Sequence, residues 1–121
     1  MDSGELLNRL KQFAYRVVKL TKHLPDFPES QIIRGQILRS SFSAAANYRS
    51  ACSAYSKKSF SAKLGISLEE LDESVFWLEV IADLGFFKQE VLAGLTDEGG
   101  QLCRIIAQSI ITSKKKQSAT S

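Results

Sequence analysis

Three glutamates crowd one stretch of this 121-residue chain: Glu69, Glu70 and Glu73. On a helix, residues three and four apart share a face, so this spacing could ligate a metal pair, as glutamates do in di-metal helix bundles. Such centres also need a Glu-x-x-His motif from each of two helices, and the chain has none. Its single histidine, His23, stands just before a proline and reads as a surface residue without partners for a triad or a metal site. Cys52 and Cys103 belong to no CxxC or Cys/His cluster and read as two buried, reduced thiols. There is no phosphate loop, and the glycines fit no dinucleotide fingerprint. The remaining use for the acids is structural: ion pairs with Arg39, Arg49 or Lys63 on neighbouring helices. The expectation is a protein without enzymatic activity, metal or cofactor.

Charge is distributed by segment. Residues 1–68 hold eleven Lys/Arg against four acids, residues 69–98 one Lys against nine acids, and residues 99–121 four basic residues and no acid. The net charge is +3 and the pI about 9.0. An acidic helix packed among basic ones would pair with them and leave other basic faces for an anionic partner; the alternative reading is that the charges are solvated helix faces. At 44% hydrophobic and 24% charged residues, the composition is that of a globular domain. No run approaches the roughly 18 apolar residues of a membrane span, and the acid-bearing N-terminus is unlike a secretory signal, so the expected compartment is the cytoplasm.

Four segments must position these residues. Leu6, Leu10, Phe13, Ala14, Val17, Leu20 and Leu24 recur at helical spacing and predict a first helix from about Ser3 to His23, with Ser3 as its N-cap. Arg9, Arg16 and Lys19 flank its apolar stripe, with Lys11 and Lys22 on the opposite side. Pro25 and Pro28, the only prolines, end that helix and open a second one reaching about Ala54. Its inward positions are Ile33, Ile37, Ser40, Ala44, Asn47 or Tyr48, and Ala51, and its small-residue centre admits close helix approach. Asn47, on or beside this stripe, is expected to be buried and bonded to helix three near Lys63–Glu70.

Helix three, about Lys57 to Leu84, carries Leu64, Leu68, Leu71, Val75, Leu78 and Ala82 at bundle-seam spacing and closes on Gly85. Phe76, Trp77, Val80 and Ile81 fall off that seam, which makes its last turns apolar nearly all round and calls for a second partner surface. The fourth helix starts somewhere between Lys88 and Thr96 and ends near Ser113. Gly94, Gly99 and Gly100 weaken it by about 1 kcal/mol each. The reading is an all-α, antiparallel, up-down four-helix bundle over residues 1–113 with a basic and polar tail, 114–121.

Two stretches resemble a known family. They are Gln36-x-x-Arg39-Ser40-x-x-Ser43-x-x-Ala46-Asn47-Tyr48-Arg49, and Ser56-Lys57-x-x-Phe60-x-x-Lys63-Leu64-x-Ile66-Ser67-Leu68-Glu69-Glu70-x-x-Glu73-x-x-x-Trp77-Leu78. The chain resembles, over about residues 10–113, the four helix bundle proteins, also called 23S rRNA intervening-sequence proteins. It departs at Ser50, where the family usually carries Glu, and at Gly99–Gly100 in the last helix. The resemblance implies an up-down bundle assembling into a homo-oligomeric ring, commonly a pentamer, with no established enzymatic activity. More distantly, the chain is similar to accessory proteins of diversity-generating retroelements, pentamers that engage a reverse transcriptase and nucleic acid.

Two functions are weighed. One is an oligomer binding RNA or DNA through phosphates with little sequence preference, using Arg9, Arg16, Lys19 and the tail lysines Lys114, Lys115 and Lys116. The other is a protein-interaction scaffold, an accessory subunit for a polymerase such as a reverse transcriptase. Phe76, Trp77, Val80 and Ile81 form the expected oligomer interface. Arg39, Asn47, Arg49, Lys63, Glu70 and Glu73 form the expected structural polar network.

Overall fold

The computed structural model describes the backbone of residues 1–120 and side chains through Lys116, so Ser121 of the expected tail lies outside the described residues. Four helices follow one another: α1 (Ser3–Thr21), α2 (Pro28–Cys52), α3 (Lys57–Asp83) and α4 (Gln89–Thr120). Short loops force each helix to run antiparallel to the one before it. α2 packs on α1 and α3, and α4 packs on α3 and α1, while α1 and α3 lie diagonally across the bundle. This is the up-down four-helix bundle the spacing predicts.

Each helix end has a local cause. α1 is capped by Asp2 and not by Ser3: Asp2 Oδ1 accepts the Glu5 amide at 2.8 Å. That amide also holds the Asp2 carboxyl below its ordinary pKa, because the hydrogen bond favours the carboxylate. At the other end of α1, Arg34 of α2 donates from Nε to the Thr21 carbonyl at 3.2 Å. The Thr21 carbonyl, which also accepts the Leu24 amide at 3.3 Å, thereby gains a cation at the C-terminal end of the helix, which the helix dipole favours. Pro28 occupies the first turn of α2, where its missing N–H costs nothing. Ser56 caps α3 by accepting the Ser59 amide at 3.0 Å, and Gly85 ends it with φ +71°.

The core is a single cluster fed by all four helices: Leu10, Phe13 and Val17 from α1, Ile37 and Ala44 from α2, Leu64, Leu71 and Leu78 from α3, Leu102 and Ile106 from α4. Each fully buried Leu or Ile contributes about 1.5–3 kcal/mol relative to exposure. Between α2 and α3 the contact is made by small residues. The Ser40 and Ser74 hydroxyls lie 2.7 Å apart, and Ser67 donates to the Ala44 carbonyl at 2.7 Å. Ser67 and Ser74 thus take core positions, whereas Leu68 and Val75 of the expected seam are only half-buried and Ala82 is exposed.

α4 is one continuous helix from Gln89, so the later start at Thr96 is excluded, and it runs past Ser113 to Thr120. Gly99 does not interrupt it. A Cβ built there would lie 2.8 Å from Val75 Cγ2 and 3.1 Å from Phe13 Cε2. The glycine is the contact that lets α4 sit down on α1 and α3.

Candidate nucleic-acid interface

From Glu5 to Asp26 there is no acid, so α1 is purely basic beyond its first turn. Burial of Leu6, Leu10, Phe13, Val17 and Leu20 turns the other face of α1 to solvent, and with it Lys11, Arg16, Lys19 and Lys22. These four make no ion pair among the described residues. Arg9 is different. It lies against α4, with Nε donating to Glu98 Oε2 at 3.1 Å and Nη2 reaching both Glu98 and Gln101. The carboxylate hydrogen bond raises the pKa of Arg9 and already compensates its charge, which takes Arg9 out of the expected phosphate-binding set.

Arg16, Lys19 and His23 edge an open groove of about 500 Å³ along the α1–α4 seam, opposite Phe87, Val91 and Leu95. Lys114, Lys115 and Lys116 are exposed in the last turns of α4. Because α1 and α4 are antiparallel, these lysines lie at the end of the bundle away from Arg16 and Lys19. The fold does not unite the two basic groups that the sequence offered.

Between α1 and α2 runs a second groove, of about 510 Å³, that sequence reasoning missed. Tyr15 and Phe42 stand on its two sides with ring centroids 6.2 Å apart and planes tilted by 57°. They are 42% and 41% exposed. Ala45 and Ala46 line the groove between them, and Lys11 and Arg49 stand at one end. The signal was present as Lys11 and Tyr15 at i, i+4 on the basic helix, but only the fold sets Phe42 across from them.

The remaining expected sites are redistributed. Arg39 bonds Glu70 at 2.7 Å and also Glu73, spanning α2 and α3, one of the pairings the charge pattern offered. These bonds, to Glu70 foremost, raise its pKa. Asn47 does not join them. Its Nδ2 donates to the Ser43 carbonyl (2.9 Å) and hydroxyl (3.1 Å) of its own helix, because Tyr48 takes the core position. Arg49 is exposed at the α1–α2 groove, and half-buried Lys63 makes no ion pair among the described residues.

Of the expected interface, Ile81 is fully buried inside the monomer and is corrected to a core residue. Val80 and Trp77 are half-buried against the core, with Trp77 Nε1 donating to Glu73 at 3.3 Å. Phe76 remains 51% exposed and meets Trp77 edge-on, centroids 5.0 Å apart.

Cys52 is exposed, against expectation, because it ends α2 one position past buried Ala51. Cys103 is half-buried, and burial pushes its thiol up to about 11. Among the described residues, no three His, Cys, Asp or Glu side chains converge on a metal position, and no helix is long and apolar enough to cross a membrane.

Fold and site together define a small up-down helix bundle with one polycationic helix face. The chain belongs to the 23S rRNA-intervening sequence protein family, whose model matches residues 4–108. It is also similar to the crystal structure of a protein of unknown function from the S23 ribosomal protein family of Bacteroides thetaiotaomicron. The two are 29% identical with a TM-score of 0.82, over 91% of this chain and 98% of that one. Comparison with curated proteins gives no match.

Proposed function

We propose that this protein is a non-enzymatic, cytoplasmic homo-oligomer, a ring of about five subunits, that binds RNA or DNA through its phosphates. The observation that carries the binding is the α1 face: Lys11, Arg16, Lys19 and Lys22 exposed, with no acid between Glu5 and Asp26. Clustered cations on one element release counterions from a phosphate backbone, which gives affinity without reading bases. Repetition of the face around an oligomer multiplies a weak contact through avidity. The family's name, which ties its members to an insertion in ribosomal RNA, agrees with a nucleic-acid partner.

The test is an anisotropy titration of labelled RNA and DNA across salt concentrations. Binding in the micromolar range at low salt, falling steeply as salt rises, is expected. Charge reversal at Arg16, Lys19 and Lys22 should flatten the salt slope and leave the oligomer intact. Reversal at Arg9 should instead act on stability, through the lost pair with Glu98.

A second reading, an accessory scaffold for a polymerase such as a reverse transcriptase, draws on the exposed apolar groups at the end of α3, Phe76 on the helix and Leu84 at its C-cap. It takes over if the wild type binds no nucleic acid even at low salt.

A further inference from the structure

The α1–α2 groove combines three features that ordinary surface does not. Two aromatic rings from different helices stand half-exposed as a pair. The apolar lining beside the two rings is Ala45 and Ala46 from α2 and Leu7 from α1, so the rings stand beside a largely small-residue floor and contact each other. Every charged residue lining the groove is a cation: Lys11, one turn before Tyr15 on α1, and Arg49, two turns after Phe42 on α2. Helix rise puts Lys11 only about 6 Å along the axis from Tyr15. No acid lines the groove; Glu5 and the N-cap Asp2 stand where α1 begins, beyond Leu7 and Lys11.

A planar, uncharged group to cover the rings and a phosphate within one helical turn of it describe one ligand, an unpaired nucleotide. Successive bases of a single strand stack on aromatic side chains while the backbone tracks a positive groove. In a duplex the base faces are already stacked on one another and cannot reach Tyr15 or Phe42. An acidic peptide would satisfy the cations but brings no flat faces for a tilted ring pair.

We infer that the α1–α2 groove is a single-strand site, where an unpaired base stacks on Tyr15 or Phe42 and its flanking phosphates bind Lys11 and Arg49. The site rests on the nucleic-acid reading above but makes a narrower claim. It requires unpaired bases, whereas the α1 cations alone would accept any polyanion.

The experiment titrates the full chain with labelled oligouridylate and oligodeoxythymidylate of about a dozen nucleotides, each beside a duplex of equal length. Single strands should bind more tightly than duplex. Tyr15→Ala and Phe42→Ala should each weaken single-strand binding roughly 5- to 150-fold, the range of one lost base–aromatic stack, and leave duplex binding alone. Tyr15→Phe should restore most of it, because the platform needs a ring and not a hydroxyl. Lys11→Gln and Arg49→Gln should each lower the salt slope by about one. Ultraviolet crosslinking followed by peptide mapping should mark Tyr15 or Phe42, and thermal melts of the variants check that the bundle is intact.

The RNA and DNA arms say which sugar the site prefers, and tight binding of either one supports it. Equal affinity for single strand and duplex, with Tyr15→Ala silent while reversal of Arg16, Lys19 and Lys22 abolishes binding, overturns the groove and leaves the general reading standing. Absence of all binding at low salt overturns both.

Discussion

Gly99 and Gly100 are adjacent in α4, yet substitution should move stability in opposite directions. At Gly99 a methyl group would press on Val75 and on Phe13, a fully buried ring with little room to yield. Overpacking of that kind costs about 1–3 kcal/mol, against about 1 kcal/mol gained in helix propensity. Gly99→Ala is therefore expected to lose about 1 kcal/mol in urea unfolding. At Gly100 the nearest atom is Arg104 Nη1 at 3.5 Å, the end of a flexible side chain. Gly100→Ala should gain up to about 1 kcal/mol in the same measurement. Tyr48 offers a titration at the same scale. Burial first, and then the neighbouring Cys52, push its phenol from 10.0 up to about 12. An acid whose pKa is raised by folding stabilises the folded state fully below pH 10 and loses that contribution as pH climbs to 12. Unfolding free energy should fall across pH 10–12, and Tyr48→Phe should flatten that part of the profile.

At the scale of the helix, the ends depend on contacts between elements as much as on local capping. Arg34 reaches out of α2 to the Thr21 carbonyl, so α1 is closed by its neighbour. Arg34→Ala should cost about 1–2 kcal/mol, with amide exchange in the last turn of α1 accelerated more than in its middle. Interactions of this kind explain what the sequence revealed. Periodicity located α1, α2 and α3 to within two residues, because Leu6, Leu10 and Val17, or Leu64, Leu71 and Leu78, face one way only when the chain is helical. Register was harder wherever large and small residues alternate. Ser67 and Ser74 lie in the α2–α3 contact because their short hydroxyls can bond across it or back to their own helix, while bulkier Leu68 and Val75 turn aside. A hydropathy stripe assigns those positions the other way. The same blindness left the core position open between Asn47 and Tyr48, whose ring fills more volume and takes it, and made Gly99 look like a break when it is a point of close approach. Charge offered Arg39, Arg49 or Lys63 as partners for the acids of α3, and only the fold selects Arg39 for Glu70 and Glu73. The opposition of Tyr15 and Phe42 was not, since nothing local relates α1 to α2.

For the molecule as a whole, the diagonal placement of α1 and α3 decides how two activities could coexist. The cations of α1 and the exposed Phe76 of α3 lie on helices placed diagonally across the bundle. Copies that associate through α3 therefore leave every α1 face open to nucleic acid. Near the C-terminal end of α3 the exposed large apolar groups are Phe76 and, at the C-cap, Leu84, with Glu69, Asp72 and Asp83 exposed on the helix. Trp77 is a poor probe of association there, because its ring packs on the core and its Nε1 is held by Glu73. Replacing it would damage the subunit as well as any interface. Phe76 is the cleaner probe, half-exposed and with Trp77 as its ring contact. Light scattering coupled to gel filtration should give a mass several times 13.4 kDa for the wild type at tens of micromolar. Phe76→Glu should shift the mass towards one subunit while circular dichroism retains the helical signal, since a charge buried against an apolar partner surface costs several kcal/mol and an exposed one almost nothing. A wild type that elutes as a monomer at that concentration removes the interface, and with it the avidity on which weak phosphate contacts depend.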